Sequence, residues 1–289
     1  LLRSMSHPDT VAYNTVLKVL AKLSPYKTDG RQSAASLALS ILSEMKDLYQ
    51  QHLAANQKWY TRMADNGALS EAASAKGAPR IHVKPNVRSY STVMDALARN
   101  GKVESAEQAE ALLQELHDVY YDTDDWAMQP NLITYNTVLT AWAKAAAAAG
   151  AGSCSEMAAE HCVRILEYMP VAPDTISYNT VLHAVARSGW DDSGERAEAL
   201  LRSMKDQGVA VNARSYTTCM DAWSQSGCPD RAELLLQEME ELYELTQNKE
   251  LKPNCISYST VIHAYASSTK AGPYTHLTLP TNDSVSHPC

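Results

Sequence analysis

The chain contains no C-x-x-C pair: Cys154, Cys162, Cys219, Cys228, Cys255 and Cys289 are scattered, which indicates no metal site and fits a reducing compartment. It also lacks an H-x-E followed by P-C-x-x-C, so zinc deaminase chemistry is not expected. No carboxylate cluster accompanies His183 or His263, which argues against either one as a ligand or a base. These absences point away from an enzyme, a metal or a cofactor, and no membrane partner is expected. Positive charge is short as well, with 25 Lys and Arg against 33 Asp and Glu for a formal net charge of −8, which speaks against indiscriminate binding of polyanions.

What the chain does have is repetition. Tyr13-Asn14-Thr15-Val16 recurs as Tyr90-Ser91-Thr92-Val93, Tyr135-Asn136-Thr137-Val138, Tyr178-Asn179-Thr180-Val181, Tyr216-Thr217-Thr218-Cys219 and Tyr258-Ser259-Thr260-Val261. The tyrosines are 77, 45, 43, 38 and 42 residues apart, and all but the first spacing fall in the range of solenoid repeats. Within a copy the apolar residues fall at i, i+3, i+4 and i+7, as in Tyr178, Val181, Leu182 and Val185, which is one face of a helix. Six residues past the tyrosine stand Ala96, Ala141, Ala184, Ala222 and Ala264, small enough for a neighbouring helix to come close. This segment is helix A, and the Asp or Asn ahead of it is an expected N-cap.

A second pattern, helix B, follows in Glu195 to Met204 and Arg231 to Met239, across turns such as Asn100-Gly101, Ser188-Gly189 and Ser226-Gly227. The fold expected is all-α, an α-solenoid with a right-handed superhelix of tandem helix-turn-helix hairpins. Leu1 to Met5 copies Leu200 to Met204, so residues 1–9 read as the remnant of a repeat and the chain as a fragment. The repeats then run 10–86, 87–131, 132–174, 175–212 and 213–254, with a partial sixth at 255–270. In the first, a long helix from Ala34 to about Met63 precedes an insertion from Asn66 to Pro79. The extra length of the third is expected in a turn from Ala145 to Ser153, and that of the second after helix B, from Tyr120 to Asp125. Residues 271–289 lose the helical period and read as a disordered or non-native tail.

Pro-Asp-x-x-x-Tyr-Asn-Thr-Val-Leu, followed by Ala-Glu-x-Leu-Leu-x-x-Met, resembles the pentatricopeptide repeat family over roughly Leu1 to Lys270. The resemblance implies a non-catalytic adaptor that binds single-stranded RNA at about one base per repeat, acting in RNA processing, stability, editing or translation in a mitochondrion or plastid. The repeats here are longer than the usual unit of the family.

The residues themselves offer a matching surface. The residue after each tyrosine, the one four later and the one eight later form a polar row: Asn14-Lys18-Lys22, Ser91-Asp95-Arg99, Asn136-Thr140-Lys144, Asn179-His183-Arg187, Thr217-Asp221-Gln225 and Ser259-His263-Ser267. Asn, Ser or Thr at its first position can donate to and accept from a base edge, while Lys22, Arg99, Lys144 and Arg187 at its last suit phosphates. Helix A segments carry +5 and the remainder −13, so a locally basic row sits in an acidic molecule. By the resemblance, base choice follows pairs of the first row residue and the last residue of the unit: Asn14 with Asn86, Ser91 with Asn131, Asn136 with Asp174, Asn179 with Asn212, Thr217 with Asn254, and Ser259 unpaired. Val11, Ile133, Ile176 and Ile256 would sandwich the bases, with Arg88 and Arg214 departing from that aliphatic pattern. The order implied, 5′ to 3′, is pyrimidine, A, U, pyrimidine, A. The alternative from the same architecture is a scaffold for protein partners, with the helix B face also open to them.

Overall fold

The computed structural model of the protein describes residues 8–23, 33–65, 83–150 and 152–268. Residues 1–7 of the expected remnant, the insertion after residue 65 and the 271–289 tail lie outside them. Among the described residues the elements are helices without strands: α1 (Thr10–Leu23), α2 (Ala34–Asp65), α3 (Val87–Ala98), α4 (Val103–Thr123), α5 (Leu132–Ala149), α6 (Ser153–Tyr168), α7 (Thr175–Ala186), α8 (Ser193–Asp206), α9 (Ala213–Gln225), α10 (Pro229–Thr246) and α11 (Cys255–Ser267). Odd-numbered helices are the A helices and even-numbered ones the B helices. Short 3₁₀ turns, Trp126–Met128 and Lys249–Leu251, lead from α4 into α5 and from α10 into α11.

Each helix A begins the same way. Asn86, Asn131, Asp174, Asn212 and Asn254 are extended N-caps whose Oδ1 accepts from the backbone N–H three residues on, at 2.8–3.1 Å. The residue supplying that N–H, Ser89, Thr134, Ser177, Ser215 or Ser257, is buried, and its hydroxyl accepts from the cap's own N–H. These reciprocal bonds satisfy donors that a helix start leaves orphaned. The A-to-B turns pass through Gly101, Gly189 and Gly227 at φ of 62, 81 and 71°, the left-handed region that costs glycine nothing.

Packing follows the apolar period. Tyr13, Tyr90, Tyr135, Tyr178 and Tyr216 are buried, as are Val93, Val138, Val181 and Val261, with Cys219 taking the valine place in α9. Each helix A packs on its own helix B, on the preceding helix B, and on the helix A of each neighbouring repeat; no pair of B helices packs so closely. Ala96, Ala141, Ala184, Ala222 and Ala264 are all buried at these crossings, whereas Val19 at the same place in α1, which has no earlier repeat against it among the described residues, is exposed. A row of closely spaced helices backed by a wider-spaced one is an α-solenoid with the A helices on the shorter, inner side.

Two length assignments change. The alanines from 145 to 149 continue α5, with Ala145 and Ala146 buried, so the loop shrinks to the stretch around Gly150 and Gly152. Alanine has the best helix propensity, and the two glycines, not the alanines, end the helix. Likewise Tyr120 to Thr123 form the last turn of α4, which closes on Asp124 at φ 50°.

One close approach yields a test. A methyl group on Gly194, at the start of α8, would lie 2.4 Å from Cδ2 and Cε3 of Trp223 in α9. Gly194→Ala is expected to destabilise the chain by about 1–3 kcal/mol, the usual cost of overpacking. Chemical unfolding with an unchanged midpoint would show that the α8–α9 contact gives way freely.

Candidate nucleic-acid interface

The helix A row places the residue after the tyrosine of one repeat against the cap of the next helix A. Asn136 Nδ2 donates to Asp174 Oδ1 at 3.2 Å, and Asn179 Nδ2 donates to Asn212 Oδ1 at 3.4 Å. The members of two of the paired positions are therefore direct neighbours. Ser91 and Thr217 instead lie beside the buried hydroxyl that completes the next cap, 3.4 Å from Thr134 Oγ1 and 3.3 Å from Ser257 Oγ. Both hydroxyls donate to a backbone carbonyl one turn back, Ser91 to Val87 and Thr217 to Ala213, each at 2.7 Å, so what they hold out is an acceptor. Ser259 donates to the Ile256 carbonyl at 3.0 Å in the same way.

The three asparagine repeats are of two kinds. Asn136 is satisfied, its Oδ1 accepting from the Ser177 hydroxyl at 2.6 Å. Oδ1 of Asn14 and of Asn179 is buried with no hydrogen-bond partner among the described residues. Burial pushes the Asp174 carboxyl up, but bonds from the Ser177 backbone and hydroxyl and from Asn136 outweigh it and hold the group below its ordinary value of 3.8.

The four aliphatic residues two before the tyrosines are not core. Val11, Ile133, Ile176 and Ile256 are 69, 69, 61 and 64% exposed, each three residues before the first residue of the row and so on the same helix face, and Arg88 and Arg214 are exposed at the same position. Ile133 and Ile176 flank an open cavity of about 280 Å³ whose other lining includes Asp95, Asn136, Thr140 and Asp174. Two apolar walls and a polar floor thus come from adjacent A helices.

The cations at the end of the row divide into two kinds. Lys22 and Lys144 are exposed and make no ion pair among the described residues. Arg99 is paired with Asp95, Nη2 to Oδ2 at 3.1 Å, and Arg187 with Asp221 of the next repeat, also at 3.1 Å. Between them His183 is held below its ordinary pKa by burial and then by the Arg187 and Arg214 charges, so it is neutral near pH 7.

The sequence reading put the tyrosines on an apolar helix face but missed the glutamates that hold the polar ends of the tyrosines and tryptophans. Trp142 Nε1 donates to Glu110 at 2.7 Å, Trp223 Nε1 to Glu198 at 3.1 Å, and Tyr265 OH to Glu233 at 2.5 Å, each glutamate standing on the preceding helix B. The signal was present, because all three belong to the Ala-Glu-x-Leu-Leu pattern of helix B. Tyr13, Tyr90, Tyr216 and Tyr258 reach Glu44, Glu115, Glu238 and Glu240. Burial followed by the glutamate bond pushes Tyr13 and Tyr258 up to about 12, so both stay protonated donors. Among the described residues no group of His, Cys, Asp and Glu is arranged to hold a metal ion, and no helix is long and apolar enough to cross a membrane.

Fold and surface together define a helical-hairpin repeat array with one polar, regularly spaced inner row. A pentatricopeptide repeat domain model matches residues 199–267 and a PPR repeat model residues 88–115. The chain is 26% identical over 208 residues to a chloroplastic pentatricopeptide repeat-containing protein of Arabidopsis thaliana, covering 71% of this chain and 23% of that one. It is 26% identical over 184 residues to a second such protein of the same plant, covering 64% and 28%. The chain thus spans about a quarter of the length of these curated relatives. Crystal structures of the pentatricopeptide repeat protein PPR10 in complex with an 18-nt psaJ RNA element align over 91% of this chain and 43% of that one, at 19% identity and a TM-score of 0.34. The chain is thus similar to pentatricopeptide repeat proteins over these stretches.

The depressed Asp174 value has a measurable sign. A folded pKa below 3.8 means that the stabilisation is fully present above that value and is lost as pH falls through the folded one. Asp174→Asn keeps an accepting oxygen for the cap but does not titrate. In denaturant unfolding between about pH 5 and pH 2, the variant is expected to lose stability less steeply than the parent; equal slopes would place the acid sensitivity elsewhere.

Proposed function

We propose that the array binds single-stranded RNA along its helix A row, about one base per repeat, as a non-catalytic adaptor in organelle RNA processing, stability, editing or translation. The observation that carries this reading is the cavity between α5 and α7, where the residues expected to sandwich a base, Ile133 and Ile176, meet the pair expected to read it, Asn136 and Asp174. Its size and its mix of apolar walls with hydrogen-bonding groups fit a planar, polar-edged ring. The two aspects of the row that have no internal explanation favour the same ligand: four exposed aliphatic side chains and two buried acceptors, on Asn14 and Asn179, that lack a donor.

The hydrogen-bonding pattern supports the order pyrimidine, A, U, pyrimidine, A. Ser91 and Thr217 spend their hydroxyl protons on the helix backbone and offer an acceptor, as the amino group of adenine requires. Asp174, kept ionised, offers an acceptor to the ring N–H of uracil, which cytosine lacks. Asn14 and Asn179 are longer than a hydroxyl and leave room for the smaller ring. Lys22 and Lys144 supply phosphate contacts directly, and Arg99 and Arg187 do so after leaving their aspartates. The chloroplastic relative favours a plastid over a mitochondrion.

A second reading, a protein-interaction scaffold, is favoured by the helix B side. Cavities of about 630 and 450 Å³ adjoin at Met169 and Pro170, and Tyr168 beside them is 79% exposed. RNA selection with the full chain, followed by sequencing of the recovered strands, separates the two: enrichment of the stated order supports the RNA reading, and recovery of no RNA leaves the scaffold. In competition binding, Asn179→Thr is expected to turn the fourth preference from pyrimidine to A, with a discrimination of about 1–3 kcal/mol. A fourth preference that stays put while RNA still binds would show the register to be wrong.

A further inference from the structure

Resting on the RNA reading, we propose that Asp95 and Asp221 are internal competitors for RNA phosphate, holding half of the cationic row in a self-neutralised state until a strand displaces them. The two carboxylates stand at the middle of the row in repeats 2 and 5, where the other repeats carry Lys18, Thr140, His183 and His263. Asp95 Oδ2 accepts from both Nε and Nη2 of Arg99 at 3.1 Å. Asp221 Oδ2 takes Nη2 of Arg187 at 3.1 Å from across the repeat boundary, together with Gln225 Nε2 at 3.3 Å. Arg214 and the neutral His183 stand close to this cluster too, so the Asp221 carboxylate lies among basic side chains.

These pairs are built to be exchanged. Their side chains are between 32 and 47% exposed, and ion pairs in that setting are worth little, so a phosphate can replace the carboxylate at small cost. The gain on replacement is small too, because the arginine merely changes anions and the released aspartate is left beside the strand. Of the four cations at the end of the row, any strand, whatever its sequence, therefore gains full Coulombic benefit only from Lys22 and Lys144. Base contacts must supply the rest, and an acidic array of this kind resists filling its row with unrelated RNA.

The test is the salt dependence of binding by the full chain, compared with Asp95→Asn/Asp221→Asn, using the selected RNA and a scrambled strand of equal length. At about 0.7 counterions per contact on a single strand, freeing the two arginines is expected to make the slope of log affinity against log salt steeper by about 1.4. At about 0.1 M salt this difference amounts to roughly 25-fold tighter binding, for both strands alike. Each single substitution should give about half the change in slope. Glu241→Gln/Glu244→Gln on the exposed side of α10 alters net charge equally without touching the row and should leave the slope at its original value. RNA binding with an unchanged slope in the aspartate variant, or an equal change in the α10 variant, overturns the competitor role while leaving the RNA reading intact. Absence of binding by every form, even at low salt, overturns both.

Discussion

Everything on the inner surface depends on one side chain per repeat, the Asn or Asp that caps helix A. Its Oδ1 accepts from the third backbone N–H and thereby fixes where the helix starts, while the buried Ser or Thr at that third position returns the bond. A cap of this kind contributes on the order of 1 kcal/mol. Because A helices pack directly on one another, the cap of one repeat also lands beside the first row residue of the repeat before it, as Asp174 does beside Asn136. The same side chain is thus both the start of a helix and half of a proposed recognition pair. Capping uses one of its two polar atoms and leaves the other as the variable part, an amide in four of the five repeats and a carboxylate at Asp174.

The outer row solves a different problem. Burying Tyr and Trp rings supplies apolar area, and their O–H and N–H groups need acceptors once buried. The glutamates of helix B provide these at the edge of the core, from the preceding repeat for Trp142, Trp223 and Tyr265. Arg164 and His161 then share Glu110, and Arg231 shares Glu198, so each carboxylate is neutralised locally. The junctions between the first and second and between the third and fourth repeats have Leu97 and Val185 where these aromatics stand, and no such link. An outer cavity of about 630 Å³ lies at the second of these aliphatic junctions.

Much of this was legible in the residues. The 3.6 period of the tyrosine segments, the small alanines six residues on and the cap ahead of a buried Ser or Thr are local signals, and each corresponds to a helix start or a crossing. Asp95 and Arg99, four apart on one helix, were readable as a pair, yet counting charges along the segment as a sum hid it. Arg187 and Asp221 lie 34 positions apart and meet only because α7 and α9 pack side by side. The alanine run after Lys144 was misread because the glycines beyond it suggested a loop, whereas alanine itself prefers the helix it continues.

The lengthened repeats raise the question of how an irregular sequence period yields a regular inner row. Apart from the alanines that extend α5, the extra residues lie outside the A helices. They lengthen α2 to 32 residues, α4 to 21 and α10 to 18, and they form the 3₁₀ turns that return the chain from α4 and α10 to the next cap. In those turns Met128 and Leu251 are buried, so the added linker is anchored to the core and does not push the repeats apart. Both linkers open on a left-handed residue, Asp124 or Gln247, and both follow the two repeats that carry an aspartate on their row. Growth on the outer side is therefore compatible with constant spacing inside, since the spacing of the row is set by alanines at the crossings and not by the number of residues between one tyrosine and the next.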